Sequence, residues 1–162
     1  MLRVVVMGVS GAGKTTVGIA LAARLGLRFV DADDLHPAAN VAKMTAGTPL
    51  TDDDRWPWLA LVGNALAAAP EPGVVVACSA LTRSYRDAIR AVAADTFFVH
   101  LDAIEEVLRE HLAHREGHFM PPALLDSQLA ILEPLGIDEL GATIDVAPPP
   151  AEVLDAAVAA LT

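Results

Sequence analysis

Cysteine is all but missing. Cys78 is the only one in 162 residues, so no disulfide can close within the chain and nothing points to an oxidising compartment. Basic residues are few as well. Eleven Lys and Arg face 21 Asp and Glu, for a formal net charge of −10. Non-specific nucleic-acid binding needs a basic footprint, so no nucleic-acid partner is expected. A small anionic ligand stays open, because local Arg, Lys and backbone N–H groups hold such ions whatever the global sign. Long apolar runs are absent too. Hydrophobic residues make up 54% of the chain, yet no run nears the roughly 18 residues a membrane span needs. Residues 1–7 lack the long apolar stretch and small-residue cleavage site of a signal peptide. The expectation is a cytoplasmic protein without a membrane partner. No repeat or low-complexity linker divides the chain, and its length fits one domain over 1–162. A domain of that size buries roughly 70% of its unfolded surface, enough for a full core without staples.

What is present alternates. Val-rich apolar runs at 2–7, 28–32, 73–78, 96–101 and 143–146 read as strands. Helical patterns fill 14–25, 37–46, 53–69, 82–93, 104–116, 122–133 and 151–161, with a turn at Gly47-Thr48-Pro49-Leu50 and a break at Gly117. Strands apolar almost throughout belong to a parallel sheet covered on both faces. Alternation with helices then implies a three-layer α/β fold. Ligands of such sheets bind beyond the carboxyl ends of the strands.

One of those ends carries Gly8-Val9-Ser10-Gly11-Ala12-Gly13-Lys14-Thr15, which fits G-x-x-x-x-G-K-[ST] at every fixed position. It follows a strand and opens a helix, the context that the motif requires. Glycines let backbone N–H groups converge on phosphate oxygens, and the helix N-terminus adds its dipole. Gly8, Ser10, Gly11, Ala12, Gly13, Lys14, Thr15 and Thr16 are therefore the candidate ATP-binding residues. Lys14 is expected to reach the β- and γ-phosphates, and Thr15 to ligate Mg²⁺.

The second strand runs into Asp31-Ala32-Asp33-Asp34-Leu35-His36. Carboxylates beside a phosphate loop can hold Mg²⁺ or orient an acceptor hydroxyl and take its proton. Asp31 is given the magnesium side and Asp33 the acceptor side, while Asp34 is expected to start the next helix. The plainer reading is a capping cluster, since Asp is common at helix N-termini. No acidic residue ends the third strand, where many P-loop proteins bind magnesium. That favours Asp31 as the metal's acidic partner and weakens a motor-ATPase or GTPase reading.

Further residues carry a resemblance. Asp31-Ala32-Asp33-Asp34-Leu35-His36-Pro37, then Asn40, Lys43-Met44, Gly47, Pro49-Leu50, Asp52, Asp54-Arg55 and Pro57-Trp58-Leu59 form one block. Ala77-Cys78-Ser79-Ala80-Leu81 with Tyr85-Arg86-Asp87 forms a second. Arg115, Gly117-His118-Phe119, Leu124-Leu125, Ser127-Gln128 and Leu132-Glu133-Pro134 form a third. From the P-loop to about Pro134 the chain resembles the gluconokinase family. The resemblance implies a P-loop fold like that of nucleoside monophosphate and shikimate kinases, with a five-stranded parallel sheet and a helical lid. It implies ATP and D-gluconate giving ADP and 6-phospho-D-gluconate with Mg²⁺, a step that feeds the pentose phosphate pathway. It also implies a homodimer.

By that resemblance the substrate-binding insert spans about 35–69 and the lid about 109–122. Gluconate is a linear polyol with a carboxylate at one end, so its site needs hydroxyl-binding groups and a cationic anchor. The expected substrate residues are Asp33, His36, Arg55, Ser79, Arg83, Arg86 and His118, with Lys43 as a further possible anchor. Solvent-facing helix charge is the competing reading for Arg83 and Arg86, and a turn histidine for His36. Trp56 and Trp58 read as packing anchors. Catalysis is assigned to Lys14, Asp33 and Arg115, the last closing over the transferred phosphoryl group. Where the pattern expects another lid arginine, four positions before Arg115, this chain has His111, and Arg109 could substitute for it from the next turn. His111, His114 and His118 could share a face and invite a zinc reading, but Gly117 and the lack of nearby thiolates count against it.

Two alternatives stand beside this. A shikimate kinase would show a Gly-Gly-Gly segment near the third strand's end, where Ala77-Cys78-Ser79-Ala80 has none, and a nucleotide kinase would need a base pocket. A nucleotide-sensing module that binds without catalysing is opposed by the intact Lys14, Thr15 and Asp33.

Overall fold

Four of the five strands are built from Val, Leu, Phe and Met runs whose side chains alternate between two covered faces, and this sets the architecture. The computed structural model describes residues 1–114 and 122–162. Among these the strands are β1 (Leu2–Met7), β2 (Arg28–Asp31), β3 (Gly73–Ala77), β4 (Phe97–Asp102) and β5 (Gly141–Asp145). The helices are α1 (Lys14–Leu25), α2 (Ala38–Thr45), α3 (Asp52–Ala67), α4 (Arg83–Val92), α5 (Glu105–Ala113), α6 (Pro122–Ile131) and α7 (Pro150–Leu161). All strand pairs are parallel, in the order β2-β3-β1-β4-β5. This is the three-layer P-loop α/β fold that the alternation predicts.

The period of two along a strand sorts the core. Val4 and Val6 of β1 face one side, where Val17 and Leu21 of α1 and Val153 and Ala157 of α7 cover them. Val5 and Met7 face the other, under Leu59, Val62 and Leu66 of α3 and Ile89 of α4. Each fully buried Val or Leu contributes about 1.5–3 kcal/mol. β1 lies at the centre of the sheet. Its helix leads left to β2, while β3 crosses over it to β4, so the crevice opens at the carboxyl ends of β1 and its two neighbours.

β5 begins two residues before the start its sequence suggests. Gly141 pairs with Phe98, and a Cβ there would meet the Phe98 carbonyl oxygen at 2.4 Å. Close backbone approach explains the glycine.

His100 on β4 is 2% exposed, and neither ring nitrogen has a hydrogen-bond partner among the described residues. Burial lowers its pKa, Asp102 opposes that, and Arg86 lowers it further. The sign follows from linkage. Above the ordinary histidine value of about 6.5, both folded and unfolded chains keep it neutral. Below it the unfolded chain takes a proton that buried His100 refuses, so stability falls with pH. Denaturant unfolding at pH 7.5 and 5.5 is expected to show that loss, and His100→Leu is expected to reduce it. An unchanged pH slope in the variant would contradict the assignment.

Candidate active site

β1 ends at Met7 and the loop 8–13 delivers the chain to α1, whose first residue is Lys14. Gly13 caps that helix in the left-handed region (φ 90°), where a side chain costs roughly 1–2 kcal/mol. Gly11 (φ 87°) is closed to any side chain as well, since a Cβ would lie 2.7 Å from the Leu108 carbonyl oxygen. Residues 10–17 line a cavity of about 550 Å³ together with Asp33, His111 and the 146–153 segment through Val146, Pro148, Pro150 and Val153. Gly8 stands at the foot of the loop, its N–H donating to the Ser79 carbonyl at 3.3 Å. The Lys14 ammonium donates to the Val9 carbonyl at 3.2 Å, so it bridges the loop it is meant to serve.

The two carboxylates of β2's end have different jobs. Asp31 accepts from the Thr15 hydroxyl at 3.3 Å and from the Asp33 N–H at 3.0 Å. It therefore both caps the 3₁₀ turn Ala32–Leu35 and touches the P-loop. Thr15 and Asp31 form a pair of hard oxygen donors, the chemistry that Mg²⁺ takes. Asp33 lines the cavity. It is open to the crevice, yet the surrounding protein desolvates its carboxyl enough to raise the pKa, and the Asp31 charge adds to this against His36 and Lys14. Asp34 does not start the next helix as its sequence suggests: it lies inside the 3₁₀ turn, and Pro37 is the N-cap of α2. Among the described residues no three His, Cys, Asp or Glu side chains gather as a metal cage.

The insert after β2 is tied down by polar side chains. Thr51 and Asp54 close a capping box that starts α3 at Asp52. Trp58 is buried and its indole N–H donates to the Ala32 carbonyl at 2.8 Å, fastening α3 to the carboxylate turn. His36 stacks on that indole, with ring centroids 4.3 Å apart. Asn40 donates to the Asp54 carbonyl at 3.0 Å, which orients its amide, and its nitrogen also lies 3.2 Å from His36 Nδ1. Nδ1 is then the acceptor, and a neutral His36 carries its proton on Nε2. Burial lowers the His36 pKa, partly offset by Asp33 and reinforced by Arg55, so the ring is neutral near pH 7. Lys43 pairs with Asp54 at 2.7 Å, which holds that carboxyl at about 2 through their hydrogen bond. Lys43 thus clamps α2 to α3. Arg55 lies over the Tyr85 ring at 5.6 Å and close enough to His36 to bias its titration.

Beyond β3 the picture departs from expectation. Ser79 sits in the loop that binds Gly8, but Arg86 does not face the crevice. Its side chain is wholly buried, paired with Glu139 at 2.8 Å and donating to the carbonyls of Ala80, Leu81 and Pro134. The helix turns this position inward beneath the loop, where five donors find carbonyls and a carboxylate. Arg83 is exposed and engaged by Asp138 at 2.6 Å. Both arginines organise the 79–82 and 134–139 loops. Ala80 holds φ at 44°, a left-handed conformation unusual for a residue with a Cβ, and the Arg86 guanidinium grips its carbonyl at 3.0 Å. Burial pushes the Cys78 thiol up to about 12, so it is core rather than nucleophile.

Arg115 and His118 lie outside the described residues, as does half of the expected lid. Its two stems are described. The ring of His111 on α5 hydrogen-bonds the Gly11 carbonyl at 2.9 Å, so Nδ1 carries the proton. Gln128 on α6 accepts from the Ser10 N–H at 2.6 Å. Arg109 pairs with Glu105 and Asp126 and joins the stems to each other. Sequence reading assigned no role to Gln128 or Tyr85, and to Asp52 only that of a helix start. The signal was present, since all three stand in the blocks that carry the family resemblance, but only the fold shows what they touch.

A phosphate loop on the central strand, one carboxylate against its Thr, a second lining the same cavity and a helical insert beside them define a P-loop kinase of the small-molecule type. The family model described as AAA domain matches residues 4–135. Within that domain class the chain belongs to the gluconokinase family. A gluconokinase of Gluconobacter oxydans (strain 621H) is 55% identical over 137 residues, covering 83% of this chain and 77% of that protein. The crystal structure of a gluconokinase from Sinorhizobium meliloti 1021 superposes with a TM-score of 0.89 at 50% identity, covering 99% of this chain and 91% of that one. Shikimate kinase from Aquifex aeolicus shares the fold, with a TM-score of 0.62 at 18% identity over 99% and 96% of the two chains. Among the described residues no helix is long and apolar enough to cross a membrane.

Proposed function

We propose that this chain transfers the γ-phosphate of ATP to the terminal hydroxyl of D-gluconate, releasing ADP and 6-phospho-D-gluconate. The observation that supports this most is the convergence of Lys14, Thr15 and Asp33 on one cavity, with Asp31 against Thr15 behind it. The P-loop amides and Lys14 hold the phosphates. Asp33 receives the acceptor hydroxyl and takes its proton, helped by a pKa raised above the ordinary carboxylate value. His36 offers Nε2–H to a substrate hydroxyl, and Arg55 anchors the carboxylate. Thr15 and Asp31 are the residues that would hold Mg²⁺, which when bound neutralises charge on the phosphates. Arg115 and His118 belong to the lid in this reading, and Ser79 to the substrate side. Arg83 and Arg86 are read as supports of the Ser79 loop. The chain works as one kinase domain over 1–162, with an insert at 35–69 and a lid at 109–122, as a cytoplasmic homodimer without nucleic-acid or membrane partners.

The test is ADP release coupled to a dye, with ATP, Mg²⁺ and a panel of D-gluconate, shikimate and nucleoside monophosphates. Gluconate-dependent turnover that disappears in Lys14→Ala is expected. Turnover with another acceptor and none with gluconate would overturn the substrate, though not the class. Light scattering on a sizing column checks the dimer.

A further inference from the structure

Arg55 sits on a surface helix with a long, flexible stem, yet its guanidinium is tightly surrounded. Its side chain is 28% exposed. Asp52, one turn earlier on α3, receives Arg55 Nη1 at 3.3 Å on its Oδ1. The same oxygen accepts the Tyr85 hydroxyl at 2.6 Å. Tyr85 comes from α4, is 7% exposed, and lays its ring under the Arg55 guanidinium at 5.6 Å. Trp56 also meets that ring, in an edge-to-face arrangement with centroids 5.7 Å apart. Tyr85 is itself fixed, because its backbone N–H is capped by Thr82 Oγ1 at 3.2 Å, directly after the Ser79 loop.

We propose that Tyr85 and Asp52 are positioning residues that aim Arg55 at the carboxylate of the acceptor, and so set the affinity for a sugar acid. The inference rests on the reading of Arg55 as the substrate's cationic anchor. An arginine free to rotate loses on the order of 2 kcal/mol of rotamer entropy when it is held. One already stacked and tethered loses less on binding, which is how preorganisation raises affinity. The tether also spans two elements. It refers the cation of the insert to the loop after β3, so both walls of the acceptor crevice share one reference. Tyr85 is suited to this as a permanent donor. Burial and the Asp52 hydrogen bond both raise its pKa, so it keeps its proton throughout the working range.

Steady-state kinetics on four proteins test the idea: Tyr85→Phe, Asp52→Asn, Arg55→Ala, and Tyr85→Phe combined with Arg55→Ala. Tyr85→Phe removes one oxygen and keeps the ring. It is expected to raise KM for D-gluconate about 3- to 10-fold, the equivalent of one hydrogen bond. KM for ATP and kcat are expected to stay within about twofold, a split that general loosening does not produce. Asp52→Asn should act in the same direction. On the Arg55→Ala background, Tyr85→Phe should have no further effect on KM, because both act through one cation. If Arg55→Ala itself leaves KM for gluconate unchanged, the substrate reading fails and the inference falls with it. If Arg55→Ala raises KM while Tyr85→Phe and Asp52→Asn leave it at the wild-type value, the anchor stands and the positioning role alone is overturned. An equal rise in both KM values for Tyr85→Phe also overturns it, since that marks a structural defect.

Discussion

Asp33→Asn is expected to lower kcat about 10²- to 10⁴-fold, the usual size of a lost general-base contribution. The substitution keeps the shape of the side chain, and the turn is capped by Asp31 rather than by Asp33. Lys14, Thr15 and the cavity should therefore survive it, and ATP affinity measured by titration calorimetry should change little. The pH profile supplies a second check. Burial first, and the Asp31 charge after it, raise the Asp33 pKa, so the acid-side fall of the wild-type rate should be displaced upward from the ordinary aspartate value. The base form is lost as pH drops through that raised value. In Asp33→Asn the acid limb should vanish along with most of the rate. A variant with wild-type kcat would remove Asp33 from the chemistry.

The second large effect concerns stability. Arg86 and Glu139 are 0% and 1% exposed in their side chains, and Arg90 adds a contact to Glu139 at 2.7 Å. Removing one member of a buried pair leaves the other charge without compensation and typically costs about 3–5 kcal/mol. For a chain of this size that corresponds to a Tm lower by roughly 6–20 °C in Glu139→Ala. Replacing both partners with apolar residues of similar size, Arg86→Met with Glu139→Leu, should recover much of it, because the desolvation cost goes with the charges. Calorimetric scans of the single and double variants check this. A double variant as unstable as the single one would mean that the guanidinium's hold on Ala80, Leu81 and Pro134 matters more than its charge pairing. Acid has a related effect. Burial alone would raise the Glu139 carboxyl, but Arg86, the Gly136 N–H and Arg90 outweigh it and hold it at about 2. A depressed folded value means that the stabilisation is present above the ordinary glutamate range and is lost as pH falls toward 2.

Much of this was legible in the residues alone. The P-loop announces itself because its chemistry needs fixed residue types at fixed spacing, and backbone amides cannot converge on phosphate without those glycines. Every predicted helix is found in the described residues, with ends moved by a few positions. Asp31 is the instructive case, since the capping and the P-loop readings looked like rivals. The structure gives it the cap and the contact to Thr15 at once, through its two oxygens.

Arg86 was misread for a physical reason. Its neighbours in sequence, Arg83, Asp87 and Arg90, read as a polar helix, and a pattern cannot tell which charge has a partner fifty residues away. Glu139 supplies that partner, and the pair sits inside. Lys43 is similar: its charge was visible, but Asp54 had to be brought across from α3 to claim it.

The sequence by itself determined the layers, the phosphate loop and the acidic turn beside it, because those depend on local periodicity and local spacing. Only the tertiary structure decided which of the many charged groups are available. Whether Arg55 is aimed, Arg86 consumed or Gln128 set against Ser10 depends on contacts between segments far apart in the chain, and the burial of each group follows from how those segments pack.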